Sequence, residues 1–212
     1  MAEDIGILRE SHWLDILQEG DRFSFPLSQT EWSLGPILTE KVLHGDRVGS
    51  LEVSEASGVC IATQTKGPSE GMKAILKIRM QIPPWHDYPE ECDKNKDYYT
   101  KFKSTNMSHS ADHEIRILKG LTEHGCSCTP KLLDYCIVDQ TDDEYVPGGY
   151  IVLVLMEKLP GRNLTNFPMF PLEKRDEVRI AFGKAIRKFH TLGYWHGNAD
   201  RRNVLWDEEN HR

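Results

Sequence analysis

The sequence lacks the features that mark membrane, secreted and nucleic-acid-binding chains. Its longest apolar run, Ile151 to Met156, is far shorter than the ~20 residues of a membrane helix. Its first ten residues show no basic start followed by an apolar core, so they do not read as a secretory signal. The net charge is −7, from 26 basic and 33 acidic side chains, which gives nucleic-acid binding no electrostatic support. We expect neither a membrane nor a nucleic-acid partner.

Cysteine is scarce as well. The chain has five cysteines, an odd number, which argues against a disulfide framework and for a reducing compartment. We therefore expect a cytoplasmic protein, with the nucleus as the alternative. Cys126 and Cys128, together with Cys92, suggest a zinc site at first sight. The tight C-x-C spacing and the lack of a second pair of ligands elsewhere in the sequence argue against a zinc site.

The hydrophobic pattern predicts strands followed by helices, an α+β fold. Ser54-Glu-Ala-Ser-Gly58 is predicted to be a turn between the first two of these strands. Helices are expected at His12–Gln18, at about Ala111–Leu121 and at Glu173–Leu192. The predicted strands are Leu51–Val53, Val59–Thr65, Ala74–Met80, Leu132–Val138, Tyr150–Met156 and a short one near Asn203–Trp206.

The last helix carries one apolar stripe that predicts a core-facing surface. Little sequence follows this helix, so we expect the stripe to remain partly uncovered. An uncovered apolar stripe favours marginal stability, self-association or binding of a protein partner. The stripe residues are Val178, Ala181, Phe182, Ala185, Ile186 and Phe189.

Four segments of the chain occur in an order that, taken together, is specific. They are Ala74-Ile-Leu-Lys77, a helix with Glu114, Val154-Leu-Met-Glu-Lys-Leu-Pro-Gly161 and His196-Gly-Asn-Ala-Asp-Arg-Arg-Asn-Val-Leu-Trp206. Together they resemble the protein kinase-like superfamily, most closely the fungal kinase-like proteins related to aminoglycoside and choline phosphotransferases. The resemblance covers roughly residues 40 to 212. It implies an antiparallel-sheet N-lobe and a partial helical C-lobe.

The same resemblance implies a division of the chain. Residues 1–35 would be an N-terminal extension and residues 36–156 the nucleotide-binding N-lobe. Residues 157–212 would form the hinge and an incomplete C-lobe that ends after the catalytic loop. A C-terminally truncated kinase-like chain is the expectation, because the sequence contains no Asp-Phe pair, which in the family supplies a magnesium-binding aspartate.

In the N-lobe the resemblance implies an ATP site. Lys77 would hold the nucleotide phosphates, and Glu114 would orient Lys77. The hinge backbone at Glu157 and Leu159 would bond the adenine edge. Gly58 would stand in the loop that covers the phosphates, which is otherwise poor in glycine.

In the catalytic loop the resemblance implies a degenerate site. Asn198 occupies the place of the family's catalytic aspartate, and a neutral amide cannot accept the proton of a substrate hydroxyl. Asp200 is a nearby carboxylate, three residues before Asn203 where the family has five. Asn203 would bind a magnesium ion.

Each assignment has a simpler alternative. Lys77 could be a strand lysine that faces solvent, Glu114 a solvated helix residue, and Asn203 a cap for the turn before the last strand. Three functions stay open: an inactive, pseudokinase-like nucleotide binder, an active phosphotransferase for protein or small-molecule hydroxyls with Asp200 as its base, and a fragment of a longer kinase.

Overall fold

The computed structural model describes residues 13–43, 53–84, 99–198 and 200–211. Their contacts divide the chain into two compact units. The first consists of Met1–His113 and Asp134–Leu155, and the second of Glu114–Leu133 and Met156–Arg212. Each unit has its own hydrophobic clusters, and no described helix is long and apolar enough to cross a membrane.

The main element is a six-stranded sheet with the order β1-β2-β3-β4-β6-β5, in which β1 to β4 form an antiparallel meander. With its few helices the molecule belongs to the α+β class, as the strand and helix pattern predicts. The strands are β1 Arg22–Phe25, β2 Thr30–Leu43, β3 Glu55–Lys66, β4 Lys73–Gln81, β5 Leu132–Asp139 and β6 Tyr150–Glu157.

Strand β4 shows why the sheet forms. Ala74, Leu76, Ile78 and Met80 are all fully buried, while the residues between them are half-buried. This alternation with a period of two packs one face of the sheet into the largest core of the molecule. Trp13, in a 3₁₀ turn at Trp13–Ile16, joins the same core, so the first described turn is part of the first unit.

The predicted turn at Ser54–Gly58 is wrong, because β3 already begins at Glu55. Gly58 lies inside this strand on the core face. A Cβ atom there would stand 2.3 Å from Leu14 Cδ1 and 3.3 Å from the Thr39 carbonyl oxygen. This close packing of the strand against the N-terminal turn explains the glycine. Gly58 therefore lies on the face of the sheet opposite to Lys77, and not in a loop.

The sheet also begins earlier than residue 36. Strand β1 and the first half of β2 lie within the stretch that the sequence suggested as an extension. Gly35 and Pro36 suggest a break, yet β2 runs through them with shifts of register between Leu34, Ile37 and Thr39. A Cβ atom on Gly35 would meet the Ile61 carbonyl oxygen at 2.4 Å, which is why a glycine stands at this bulge.

Within the described residues the α-helices are α1 at His109–Glu123 and α2 at Leu172–Thr191, close to the predicted ranges. In the second unit a short ribbon, β7 at Arg162–Asn163 with β8 at Leu205–Trp206, packs with Val178 of α2. A separate cluster joins Leu121 of α1 to Phe189 of α2. The predicted segment Leu51–Val53 falls almost entirely outside the described residues.

The apolar stripe of α2 is only partly buried. Val178 and Phe189 are buried, but Phe182 is 44% exposed and belongs to neither cluster, so the stripe is partly uncovered, as expected from the sequence. Ile180, on another side of the helix, is 60% exposed. Self-association or a protein partner at this helix stays a prediction.

Candidate functional site

Lys77 occupies the middle of β4, opposite Val59 of β3. It is half-buried, so its side chain lies neither in the main core nor freely in solvent. Alternation along the strand puts it on the same face as Arg79, and Arg79 Nη1 donates a hydrogen bond of 2.9 Å to Ser110 Oγ in the first turn of α1. Lys77 therefore lies on the face of the sheet that adjoins the beginning of this helix.

The same face carries a buried charge that the sequence did not single out. Glu55 is only 2% exposed. Its Oε1 accepts from Arg79 Nη1 at 2.5 Å, and its Oε2 accepts from Ser108 Oγ at 2.7 Å and from the Tyr150 hydroxyl at 3.0 Å. Burial and the charge of Glu55 raise the pKa of the Tyr150 hydroxyl, which keeps it protonated as a donor.

Ser108 joins this network to the helix. Its Oγ accepts a hydrogen bond of 3.2 Å from the Ala111 backbone N–H, as expected of the residue just before a helix. Glu114 follows in the second turn of α1 and is half-buried. The ion pair of Lys77 with Glu114 stays a prediction.

The hinge segment is anchored by its first residue. The Glu157 backbone N–H donates to the Lys131 carbonyl at 2.9 Å, and the Lys131 N–H donates to the Glu157 carboxylate at 3.3 Å. Since this N–H is already used, any part of Glu157 in adenine recognition would fall to its carbonyl. Leu159 comes two residues later, after β6 has ended, and is half-buried.

The loop at residues 198–203 closes on the carbonyl oxygen of Asn198. This oxygen accepts from the Asp200 backbone N–H at 2.8 Å and from the Asn203 side-chain Nδ2 at 3.1 Å. The Asn203 side chain thus spans this turn, while the side chain that caps the short 3₁₀ helix at Arg201–Asn203 is that of Asp200. Its Oδ1 is the atom that would ligate magnesium.

Asp200 is engaged by the neighbouring arginine. Its Oδ1 accepts from the Arg202 backbone N–H at 2.8 Å and from Nε at 3.0 Å, and its Oδ2 accepts from Nη2 at 2.9 Å. These hydrogen bonds and the positive charges of Arg202 and Arg201 lower the pKa of the Asp200 carboxyl to about 2. A carboxylate with so low a pKa is a poor general base at neutral pH, because proton transfer is most efficient when the pKa lies near the working pH.

We expect carbon-13 NMR to measure the lowered pKa of the Asp200 carboxyl directly. The Asp200 carboxyl should titrate with a midpoint of about 2, and Arg202→Gln should raise the midpoint towards the ordinary aspartate value of about 3.9. Because the pKa of the Asp200 carboxyl is lower in the folded state than in the unfolded state, the ionised group stabilises the fold at pH values above its ordinary pKa. This stabilisation is lost as the pH falls through about 2. Because the side chain is exposed, solvent screens this contribution.

Arg201→Gln is the matched control for this titration. Arg201 acts on Asp200 only through its charge, whereas Arg202 also donates hydrogen bonds, so the control should move the midpoint less. An ordinary midpoint in the unmodified chain, or equal shifts in the two variants, would contradict the assignment.

No three His, Cys, Asp or Glu side chains come together as metal ligands within the described residues. Cys92 of the zinc hypothesis lies outside them, while Cys126 and Cys128 stand close together in the turn after α1. Next to the 198–203 loop is an open depression of about 280 Å³, lined by Thr165, Asp200, Arg201 and Arg202.

The chain was also compared with known proteins. No protein-family model matches it, and no curated protein matches it.

Proposed function

We propose that this chain is a protein kinase-like domain that binds a nucleotide through Lys77 and transfers little or no phosphate. The observation that carries the proposal is Lys77 itself. It is half-buried in the middle of β4, on the same face of the sheet as Arg79, which contacts the beginning of α1. From this position its ammonium could hold a nucleotide phosphate.

The surrounding order of elements supports the same proposal. Lys77 lies on the third strand of the β2-β3-β4 meander, and α1 with Glu114, two further strands and the Glu157–Leu159 segment follow. In protein kinases a lysine on the third strand pairs with a glutamate of the next helix and positions the phosphates. ATP is therefore the nucleotide we propose, with magnesium at Asn203.

The residues at the expected catalytic loop support the second part of the proposal, that the chain transfers little or no phosphate. Asn198 has no basic group to offer, and Asp200 is held by Arg202 with both carboxylate oxygens. Such a domain would act through binding, as a pseudokinase does.

Calorimetric titration of the purified chain with a non-hydrolysable ATP analogue and magnesium tests the proposal. We expect saturable binding that Lys77→Ala weakens by about 10–150-fold, because a hydrogen bond to a charged group contributes about 1.5–3 kcal/mol. Lys73→Ala is the matched control, since Lys73 is an exposed lysine at the beginning of the same strand and should leave the affinity unchanged. No binding, or equal affinity in both variants, would refute the nucleotide site.

A further inference from the structure

Two cysteines of the second unit touch each other. Cys126 Sγ and Cys128 Sγ are 3.3 Å apart in the turn between α1 and β5. The Cys126 backbone N–H donates to the Leu121 carbonyl at 2.9 Å, and Cys128 Sγ approaches the Ala185 carbonyl of α2 at 3.6 Å. The two thiols are therefore held side by side between the end of one helix and the flank of another.

The two sulfurs differ in their surroundings. Cys126 is 2% exposed and packs with Leu121 and Phe189, whereas Cys128 is partly exposed. A cation stands beside them, since Lys188 Nζ donates to the hydroxyl of Ser127, the residue between the two, at 2.9 Å.

This environment shifts the pKa values of the two thiols in opposite directions. Burial opposes ionisation of Cys126, but the neighbouring Cys128 and the charge of Lys188 act against it, and the pKa of this thiol is lowered. Burial and the neighbouring Cys126 raise the pKa of Cys128 to about 11. Elsewhere burial alone acts on Cys60 and raises the pKa of that thiol to about 12. Since thiolates are the nucleophiles, Cys126 is the reactive member of the pair.

We propose that Cys126 and Cys128 form a reversible intramolecular disulfide when the chain meets hydrogen peroxide. In the first step the Cys126 thiolate attacks one peroxide oxygen, the O–O bond breaks, and Cys126 becomes a sulfenic acid as the other oxygen leaves as water after protonation. In the second step the Cys128 sulfur attacks the Cys126 sulfur, the S–O bond breaks and a second water leaves. The two thiols lose two electrons and two protons, and the peroxide is reduced to two waters. A dithiol or glutathione reverses the reaction.

The geometry favours this closure. A disulfide bond is ~2.05 Å long, so the sulfurs have to approach by roughly 1.2 Å, a distance within reach of side-chain rotation in a turn. Hydrogen peroxide fits the low exposure of Cys126, which a bulky disulfide reagent could not reach. Because Cys128 contacts α2, closure of the ring changes the contact of the turn with that helix.

Mass spectrometry after treatment with hydrogen peroxide and rapid alkylation tests the proposal. Trypsin should release the segment from Gly120 to Lys131 with both cysteines. In the folded chain we expect this peptide to be unalkylated and lighter by two hydrogens than its dithiol form, and dithiothreitol should restore alkylation of both thiols. Cys60, a buried thiol of the sheet unit, and Cys136, a partly buried one, should still be alkylated once the treated chain is unfolded, and they serve as internal controls.

Single substitutions show whether Cys126 and Cys128 react with each other or only pack together. Cys128→Ser should stop Cys126 at the sulfenic acid, trapped by a dimedone probe, whereas Cys126→Ser should leave Cys128 largely unoxidised. Lys188→Gln should slow disulfide formation severalfold, and Lys188→Arg should restore it, since only the charge is needed. Circular dichroism establishes that each variant is folded. Persistence of both free thiols in the folded chain, or oxidation spread equally over Cys60 and Cys136, would overturn the proposal.

Discussion

The purified chain, incubated with ATP and magnesium, is expected to transfer no phosphate above background to protein or small-molecule hydroxyls. Loss of a general base costs about 10²–10⁴ in rate, which is roughly 3–5 kcal/mol of barrier at 1.36 kcal/mol per decade. Asn198 has no base to offer, and Asp200 is bound on both oxygens by Arg202. Transfer of radiolabelled phosphate and release of ADP are the measurements.

Restoring an aspartate at position 198 should not create activity in this chain. The sequence has no Asp-Phe pair, whereas in protein kinases the aspartate of such a pair bridges magnesium to the phosphates, so under the proposed function the metal site stays incomplete. Asn198→Asp and Asn198→Ala should therefore be equally inactive. Magnesium-dependent turnover that Lys77→Ala abolishes would contradict this expectation, and would favour an active phosphotransferase with Asp200 as its base.

Much of the fold could be predicted because its signals are local. Apolar residues recur at every second position of strand β4 from Ala74 to Met80, and α1 and α2 have apolar residues on one side, so their ranges came out within a few residues. Strand β2 could not be predicted this way. Gly35 and Pro36 are local signals for a break, but the pairing with β3, which is a long-range interaction, carries the strand through them.

Gly58 shows the same limit for the candidate site. In the sequence it stands where a turn and a phosphate loop would suit it, yet its place is decided by Leu14, which is distant in the chain. The polar residues Ser54, Glu55 and Ser57 also favoured the wrong prediction of a turn at this place. Glu55 is polar because it pairs inside the protein with Arg79, which the sequence does not reveal.

For the loop at residues 198–203, the sequence predicted which residue types could take part in chemistry, but not which side chains bind each other. Asn198 follows from the motif alone, and the turn-capping alternative for Asn203 was open from the sequence. The engagement of Asp200 by Arg202 depends on side-chain geometry between residues two apart in the chain. The partial exposure of the α2 stripe at Phe182 agrees with the expectation from the sequence. Which of its residues are covered could not be predicted, because periodicity identifies a face of a helix but not what covers it.

Glu55→Ala is expected to be the most damaging single substitution in the sheet unit. The change removes a buried carboxylate that accepts hydrogen bonds from Arg79, Ser108 and Tyr150. Removing one partner of a buried ion pair typically costs about 3–5 kcal/mol. Since a domain is stable by only about 5–15 kcal/mol, a large part of the margin would be lost. Urea unfolding followed by circular dichroism measures this loss.

Two further variants show whether burial is the reason. Glu31→Ala removes a carboxylate from an ion pair of similar length, 2.8 Å to Lys66, but the Lys66 side chain is 70% exposed and stability should hardly change. Glu55→Leu combined with Arg79→Met removes both buried charges and should recover most of what Glu55→Ala loses, because apolar replacements of similar volume are often neutral. Equal losses in Glu31→Ala and Glu55→Ala would show that the carboxylate of Glu55 is solvated, and that the face shared by Lys77 and Arg79 is more open than its contacts imply.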